Sequence, residues 1–168
     1  ETIGMLSRML TRATSSAHRI FEVIDTQPEV VDPAEPVRLR PLTGSVVFEN
    51  VSFAYDGMRH ILKNISMSIE PGEMIGIVGP SGSGKTTLIN LMSRFYDVSS
   101  GRILIDGTDM RDLDSGDYRH QVGMVLQDPF LFCGSVLENI CYGLPDATMH
   151  QVIEAAKTAD IHDFICDM

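Results

Sequence analysis

Residues Gly79-Pro80-Ser81-Gly82-Ser83-Gly84-Lys85-Thr86-Thr87 constrain this chain more than any other stretch. They fit G-x-x-x-x-G-K-[ST], a loop that wraps polyphosphate in backbone N–H groups. The pattern works between a strand and a helix, and both flanks comply. Met74-Ile75-Gly76-Ile77-Val78 is a short apolar run that reads as a buried strand. Lys85 to Phe95 carries Leu88, Leu91, Met92 and Phe95 at helical spacing. Loop amides and the positive end of the helix dipole would then point at one anion. Gly82 and Gly84 are expected to let the main chain approach the phosphates where a Cβ would intrude. Lys85 would supply a point charge to the β/γ-phosphates, and the Thr86 hydroxyl would bind Mg²⁺. The candidate nucleotide-binding residues here are Gly79, Ser81, Gly82, Ser83, Gly84, Lys85, Thr86 and Thr87.

Composition narrows the possible partners. The chain has 168 residues, the length of one ordinary domain, and its 43% hydrophobic content is enough for a core. A formal net charge of −10 argues against nucleic acid, whose phosphates need a basic face. Cys133, Cys141 and Cys166 are odd in number and form no C-x-x-C pair, which fits a reduced cytosolic location and no metal site. The five histidines show no ligand spacing. No signal peptide or 18-residue apolar span is present, so nothing in this stretch is expected to cross a bilayer. Glu1 in first position reads as a start inside something longer.

Taken in order, Thr2 to Asp25 reads as one long amphipathic helix. Ile3, Leu6, Leu10, Ala13, Ala17, Ile20 and Ile24 form an apolar stripe, while Arg8, Arg12, His18 and Arg19 lie off it. At about 1.5 Å per residue such a helix is roughly 35 Å long, and it is read as the end of a helix leaving another domain. Residues 26–44 read as a linker, because half of the eight prolines (Pro28, Pro33, Pro36 and Pro41) interrupt any helix or central strand there. Ser45 to Tyr55 and Ile61 to Ile69 read as strands, the second alternating Ile65, Met67 and Ile69 with polar neighbours. Arg102 to Asp106 reads as a further strand ending in Asp106-Gly107, and Val122 to Gln127 as another apolar run stopped by Asp128-Pro129. Ser135…Glu138 and Thr148…Gln151 fit the capping box and predict two helix starts; Ile161 to Ile165 begins a last element.

Among phosphate-loop classes, a GTPase would show N-K-x-D and D-x-x-G, and neither occurs. Two apolar runs end in an aspartate, Ile103-Leu104-Ile105-Asp106 and Val125-Leu126-Gln127-Asp128, and neither has the following Glu that would polarise a water. Val47 to Tyr55, Gly79 to Thr87, Gly101 to Gly107, and Val122 to Phe132 followed by Glu138-Asn139-Ile140 together resemble the nucleotide-binding domain of an ABC transporter, of the exporter type found in lipid flippases and multidrug exporters. The resemblance covers essentially the whole chain.

It implies an α/β fold: an incomplete P-loop NTPase core with an antiparallel β subdomain, preceded by the long amphipathic helix. Residues 1–25 would be the cytoplasmic end of the last transmembrane-domain helix, 26–44 the Pro-rich linker, and 45–168 the amino-proximal part of the ATP-binding domain. Tyr55 would stack on adenine, and Gln127 would reach Mg²⁺ and the attacking water, making Thr86 and Gln127 the metal ligands. ATP and Mg²⁺ are the implied cofactors. The implied partners are the membrane domain of the same transporter and a second nucleotide-binding domain, as homo- or heterodimer, at the cytoplasmic face of the cell membrane. No L-S-G-G-Q signature, Asp-Glu strand or switch histidine follows, so no catalytic residue is assigned within the chain. The neighbours of strand 74–78 are expected after Met168, leaving 74–78 without its core-sheet neighbours and with no ladder to 122–127, while 46–53 pairs with 61–69. A soluble ABC-type protein that uses ATP to remodel a complex without transport stays open as an alternative.

Overall fold

A computed structural model describes residues 2–55 and 59–168, with side chains from Thr11 onward. Its first helix, α1 (Thr2–Ile24), has the predicted extent. From Thr11 to Ile24 it is almost wholly exposed, including Ile20, Phe21, Val23 and Ile24. Ile3, Leu6 and Leu10 of the proposed stripe lie outside the described side chains. No helix among the described residues is long and apolar enough to cross a membrane.

The chain divides into two compact units, residues 1–117 and 118–168. The first is built on a four-stranded antiparallel sheet in the order β2-β1-β3-β4, from β1 (Val46–Phe53), β2 (Leu62–Ile69), β3 (Ser100–Ile105) and β4 (Thr108–Asp109). The expected pairing of 46–53 with 61–69 is present, with Val46 opposite Ile69 and Phe48 opposite Met67. β1 pairs on its other side with β3, Val46 facing Ile105 and Phe48 facing Ile103. Ile103 and Ile105 alternate inward, and with Phe48, Val51 and Phe53 they form the buried sheet face. Leu88 and Leu91, one helical turn apart on α2 (Lys85–Met92), are buried too. Each such side chain contributes about 1.5–3 kcal/mol when taken from water. β1 carries an irregularity between Glu49 and Ser52, where Asn50 has φ 49°. Gly101 fits beside it for want of a side chain: at φ 79° a Cβ would collide with the Glu49 and Asn50 carbonyls.

Asp106-Gly107, read as a strand end, is a hairpin turn. Both residues have positive φ, 48° and 82°, and Ile105 pairs with Thr108 across them. The Asp106 carboxylate also organises the linker. It accepts from the Thr43 amide (2.7 Å) and hydroxyl (2.5 Å), the Gly44 amide (3.1 Å) and the Ser45 amide (2.9 Å). The linker has further fastenings, Arg38 to Asp114 at 3.0 Å and Arg40 to Asp117. Val37 forms a bridge to Leu113. Asp106 is therefore a cap for residues 43–45.

Burial pulls the Asp106 carboxyl upward, but the Thr43 hydroxyl and the three amides outweigh it and hold it below the ordinary aspartate value of 3.8. A depressed folded value means stability that is present above the unfolded value and lost as pH falls through the folded one. Asp106→Asn should cost about 1 kcal/mol at neutral pH, the scale of a lost cap. That deficit should shrink as pH falls below the unfolded value of 3.8 and through the lower folded one; urea unfolding at pH 7 and at successively lower pH checks this.

The apolar runs 74–78 and 122–127, both read as strands, form none. Residues 74–78 take part in no strand pairing, and Met74 is 97% exposed. In 122–127, Val125 is fully exposed. Apolar periodicity reports what a segment would bury, but a strand also needs a neighbour for its N–H and C=O groups. Among the described residues none offers these runs an edge.

The second unit consists of short helices. Both predicted capping boxes are formed. Ser135 caps α4 (Val136–Ile140) with Glu138 returning the bond, and Thr148 caps α5 (Met149–Thr158) with Gln151 doing the same. α3 (Ser115–Arg119) precedes them across the boundary and α6 (His162–Cys166) closes the chain. On α5 Val152 and Ala156 are buried, whereas Ala155 and Ala159 of the predicted side are exposed.

Candidate nucleotide-binding site

The phosphate-loop motif ends in the helix that its residues require. α2 begins at Lys85, with Gly84 as its N-cap at φ 93°. The loop closes on itself through one bond, the Ser83 amide donating to the Pro80 carbonyl at 3.2 Å, so that amide is spent internally. The amides of Gly82, Gly84, Lys85, Thr86 and Thr87 have no acceptor among the described residues. Several unpaired donors at one helix start form an anion-binding concavity, reinforced by the positive end of the helix dipole.

The glycines serve different ends than their spacing suggests. Gly82, at φ 78°, has open space where a Cβ would stand, so its backbone conformation demands glycine. At Gly84 a Cβ would lie 2.8 Å from Leu62 Cδ2 and 3.1 Å from Ile61 Cγ2. The start of β2, rather than phosphate alone, excludes a side chain there. Lys85 Nζ donates to the carbonyls of Gly79 (2.8 Å) and Pro80 (2.9 Å), keeping the ammonium at the mouth of the loop. Thr86 is exposed on the first turn, while Thr87 is buried.

These residues suit a polyphosphate with its own metal. The donor set is all N–H, ammonium and hydroxyl, the complement of phosphoryl oxygens. The described residues contain no group of three His, Cys, Asp or Glu side chains able to hold a metal. Thr86 could therefore supply one ligand to a Mg²⁺ carried mainly by phosphates and water.

Tyr55 is brought to the same place. Its hydroxyl lies 3.4 Å from Thr87 Oγ1, long for a hydrogen bond but enough to set the ring beside the helix start. The ring packs edge-on to Phe53 (centroids 4.8 Å) and Tyr96 (4.9 Å). Around it is a cavity of about 340 Å³ lined by Phe53, Tyr55 and Tyr96 with Glu29, Asp97 and Ser99. The sequence reading named only Tyr55 from this group. Tyr96, directly after the helical pattern, was the available signal; Glu29 comes from the linker, where nothing local marks it.

Arg94 also went unnoticed and holds the far end of α2. Its side chain is fully buried at φ 52°. Nη1 donates to the Leu113 carbonyl (2.6 Å) and Asp32 Oδ1 (2.9 Å), and Nη2 to the Arg111 carbonyl (3.1 Å). Asp32 Oδ2 accepts from the Ser115 amide and hydroxyl.

Gln127 belongs to the second unit and is exposed on the irregular stretch. In that unit Phe130 and Leu131 are about three-quarters exposed, at 74% and 76%. Phe132 is held by Asn139, which accepts its amide at 2.8 Å and donates to its carbonyl at 3.0 Å, and it stacks on Tyr142 at 4.1 Å.

Comparison with known proteins agrees with this geometry. The sequence model of the family described as "ABC transporter" matches residues 62–168. The "Fatty acid ABC transporter ATP-binding/permease protein" of Mycobacterium bovis is 46% identical over 93% of this chain and 24% of its own length. The "ATP-dependent lipid A-core flippase" of Syntrophus aciditrophicus is 42% identical over 97% of this chain and 27% of its own. The chain thus spans about a quarter of the length of these relatives. A solved bacterial Atm1-family ABC exporter with ATP bound superposes with a TM-score of 0.85 at 41% identity, covering 99% of this chain and 29% of that one.

Proposed function

Because the chain belongs to the ABC transporter family, we infer that it is the ATP-binding portion of an exporter that couples ATP binding and hydrolysis to movement of a substrate across a membrane. The observation that carries this is the set of acceptor-free amides at Gly82 and Gly84–Thr87, gathered around Lys85 at the start of α2. Gly79, Ser81, Ser83 and Thr87 complete the loop, Tyr55 receives the base, and Thr86 takes the Mg²⁺. Residues 1–25 are the cytoplasmic end of the last transmembrane-domain helix, 26–44 the linker, and 45–168 part of the ATP-binding domain. The fusion of ATP-binding and permease parts named in the relatives supports a membrane domain as partner and a place at the cytoplasmic face of the membrane. The exposed Phe130 and Leu131 supply an apolar surface for that partner. A second nucleotide-binding domain, identical or different, completes each ATP site.

The catalytic base is not among the residues assigned here, so this chain supplies binding and positioning of ATP rather than water activation. The test is thermal unfolding with and without Mg-ATP. A ligand at a hundredfold excess over its Kd stabilises the folded state by about 2.7 kcal/mol. Mg-ATP should raise the midpoint by several degrees, and AMP, which lacks the phosphates that the loop binds, should not. An equal response to both would remove the loop from the reading.

A further inference from the structure

The cavity beside Tyr55 contains more chemistry than a stacking ring requires. Its walls combine the aromatic residues Phe53, Tyr55 and Tyr96 with the acidic residues Glu29 and Asp97, the latter also 3.5 Å from Arg94 Nε, and no basic residue lines it among the described residues. Two carboxylates repel phosphate, so the polyanion belongs at the loop amides. They are acceptors only, and what they select is an N–H donor. A flat π system bearing an amino group satisfies both parts of the wall. Tyr55 joins this cavity to the helix start through Thr87, which places the base of a loop-bound nucleotide next to it. Glu29 arrives from the linker, and three residues on, Asp32 is tied to Arg94 and Ser115, so that stretch is anchored to the domain rather than trailing past it.

We propose that Glu29, with Asp97, reads the exocyclic amine of the nucleobase, making the linker a wall of the base subsite and giving the site a preference for adenine over a 6-oxo purine. This rests on the nucleotide reading above. The step is recognition alone: the adenine N6–H donates to a carboxylate oxygen, whereas hypoxanthine would set its own carbonyl oxygen against that carboxylate.

Calorimetric titration of the full-length protein with the Mg²⁺ complexes of ATP, ITP and tripolyphosphate tests it. Wild type should bind ATP about tenfold more tightly than ITP, the scale of one charge-assisted hydrogen bond. In Glu29→Gln, whose amide can also donate, the two affinities should converge to within about threefold. A merely structural role for Glu29 would weaken both nucleotides equally and leave their ratio unchanged. An unchanged ratio, or no preference in wild type, overturns the inference while tripolyphosphate binding leaves the loop assignment standing. If neither ATP nor tripolyphosphate binds, the nucleotide reading falls and this inference falls with it.

Discussion

Arg94→Met is expected to destabilise the first unit by about 3–5 kcal/mol, the cost of breaking a buried ion pair by removing one partner. That is a large share of the roughly 5–15 kcal/mol that holds a domain together. The Arg94 side chain is fully buried and its guanidinium bridges three segments: the linker at Asp32, a 3₁₀ turn over Met110–Asp112 at the Arg111 carbonyl, and the chain beyond it at the Leu113 carbonyl. Methionine fills the volume and donates nothing, so the carbonyls of Val31, Arg111 and Leu113 and the carboxylates of Asp32 and Asp97 lose this donor together. Lysine should not restore the loss, because a single ammonium cannot reproduce the planar fork that reaches Asp32 and these carbonyls. Asp32→Asn should cost less, since the amide oxygen still accepts from Arg94 or Ser115. Equilibrium denaturation of the three variants gives the ranking. A loss below about 1 kcal/mol for Arg94→Met would show that the network contributes little.

Arg94 also shows where a sequence stops being legible. Its acceptors lie at positions 31–32, 97 and 111–113, and no local pattern announces that a lone arginine after an amphipathic helix will be enclosed by them. The parts that were legible are those governed by near neighbours. α1, β1 and β2 follow from periodicity, and the boxes Ser135/Glu138 and Thr148/Gln151 follow from side chains reaching three residues along the backbone. Asp106-Gly107 carries a two-residue hairpin signal that the turn fulfils, whereas its partner β4, only two residues long, has no periodicity to announce it.

The runs 74–78 and 122–127 show the reverse case. Their composition reads as strand and burial, yet Met74, Val78 and Val125 are exposed and neither run joins a ladder, which is the outcome expected for 74–78 without its sheet neighbours. The candidate site divides along the same line. The loop was readable residue by residue, apart from the reason for Gly84, which β2 explains through Ile61 and Leu62. The base cavity was not, since Glu29, Tyr55 and Tyr96 meet from three separate stretches.

Binding of Mg-ATP through Lys85 is the central claim. The Nζ group rests on the Gly79 and Pro80 carbonyls at 2.8 and 2.9 Å, so it is already held at the loop mouth and needs only to exchange neutral acceptors for charged phosphoryl oxygens. Such charge-assisted bonds contribute about 1.5–3 kcal/mol. Alanine removes the charge without touching the amides, and at the first position of α2 it is the residue that best tolerates helix. The fold should therefore survive and the loss should appear in affinity. Calorimetric titration of wild type and Lys85→Ala with Mg-ATP measures this directly. The account predicts a Kd raised by about tenfold to more than a hundredfold, with the thermal midpoint of the nucleotide-free protein little changed. Equal affinity of the two proteins for Mg-ATP would contradict it.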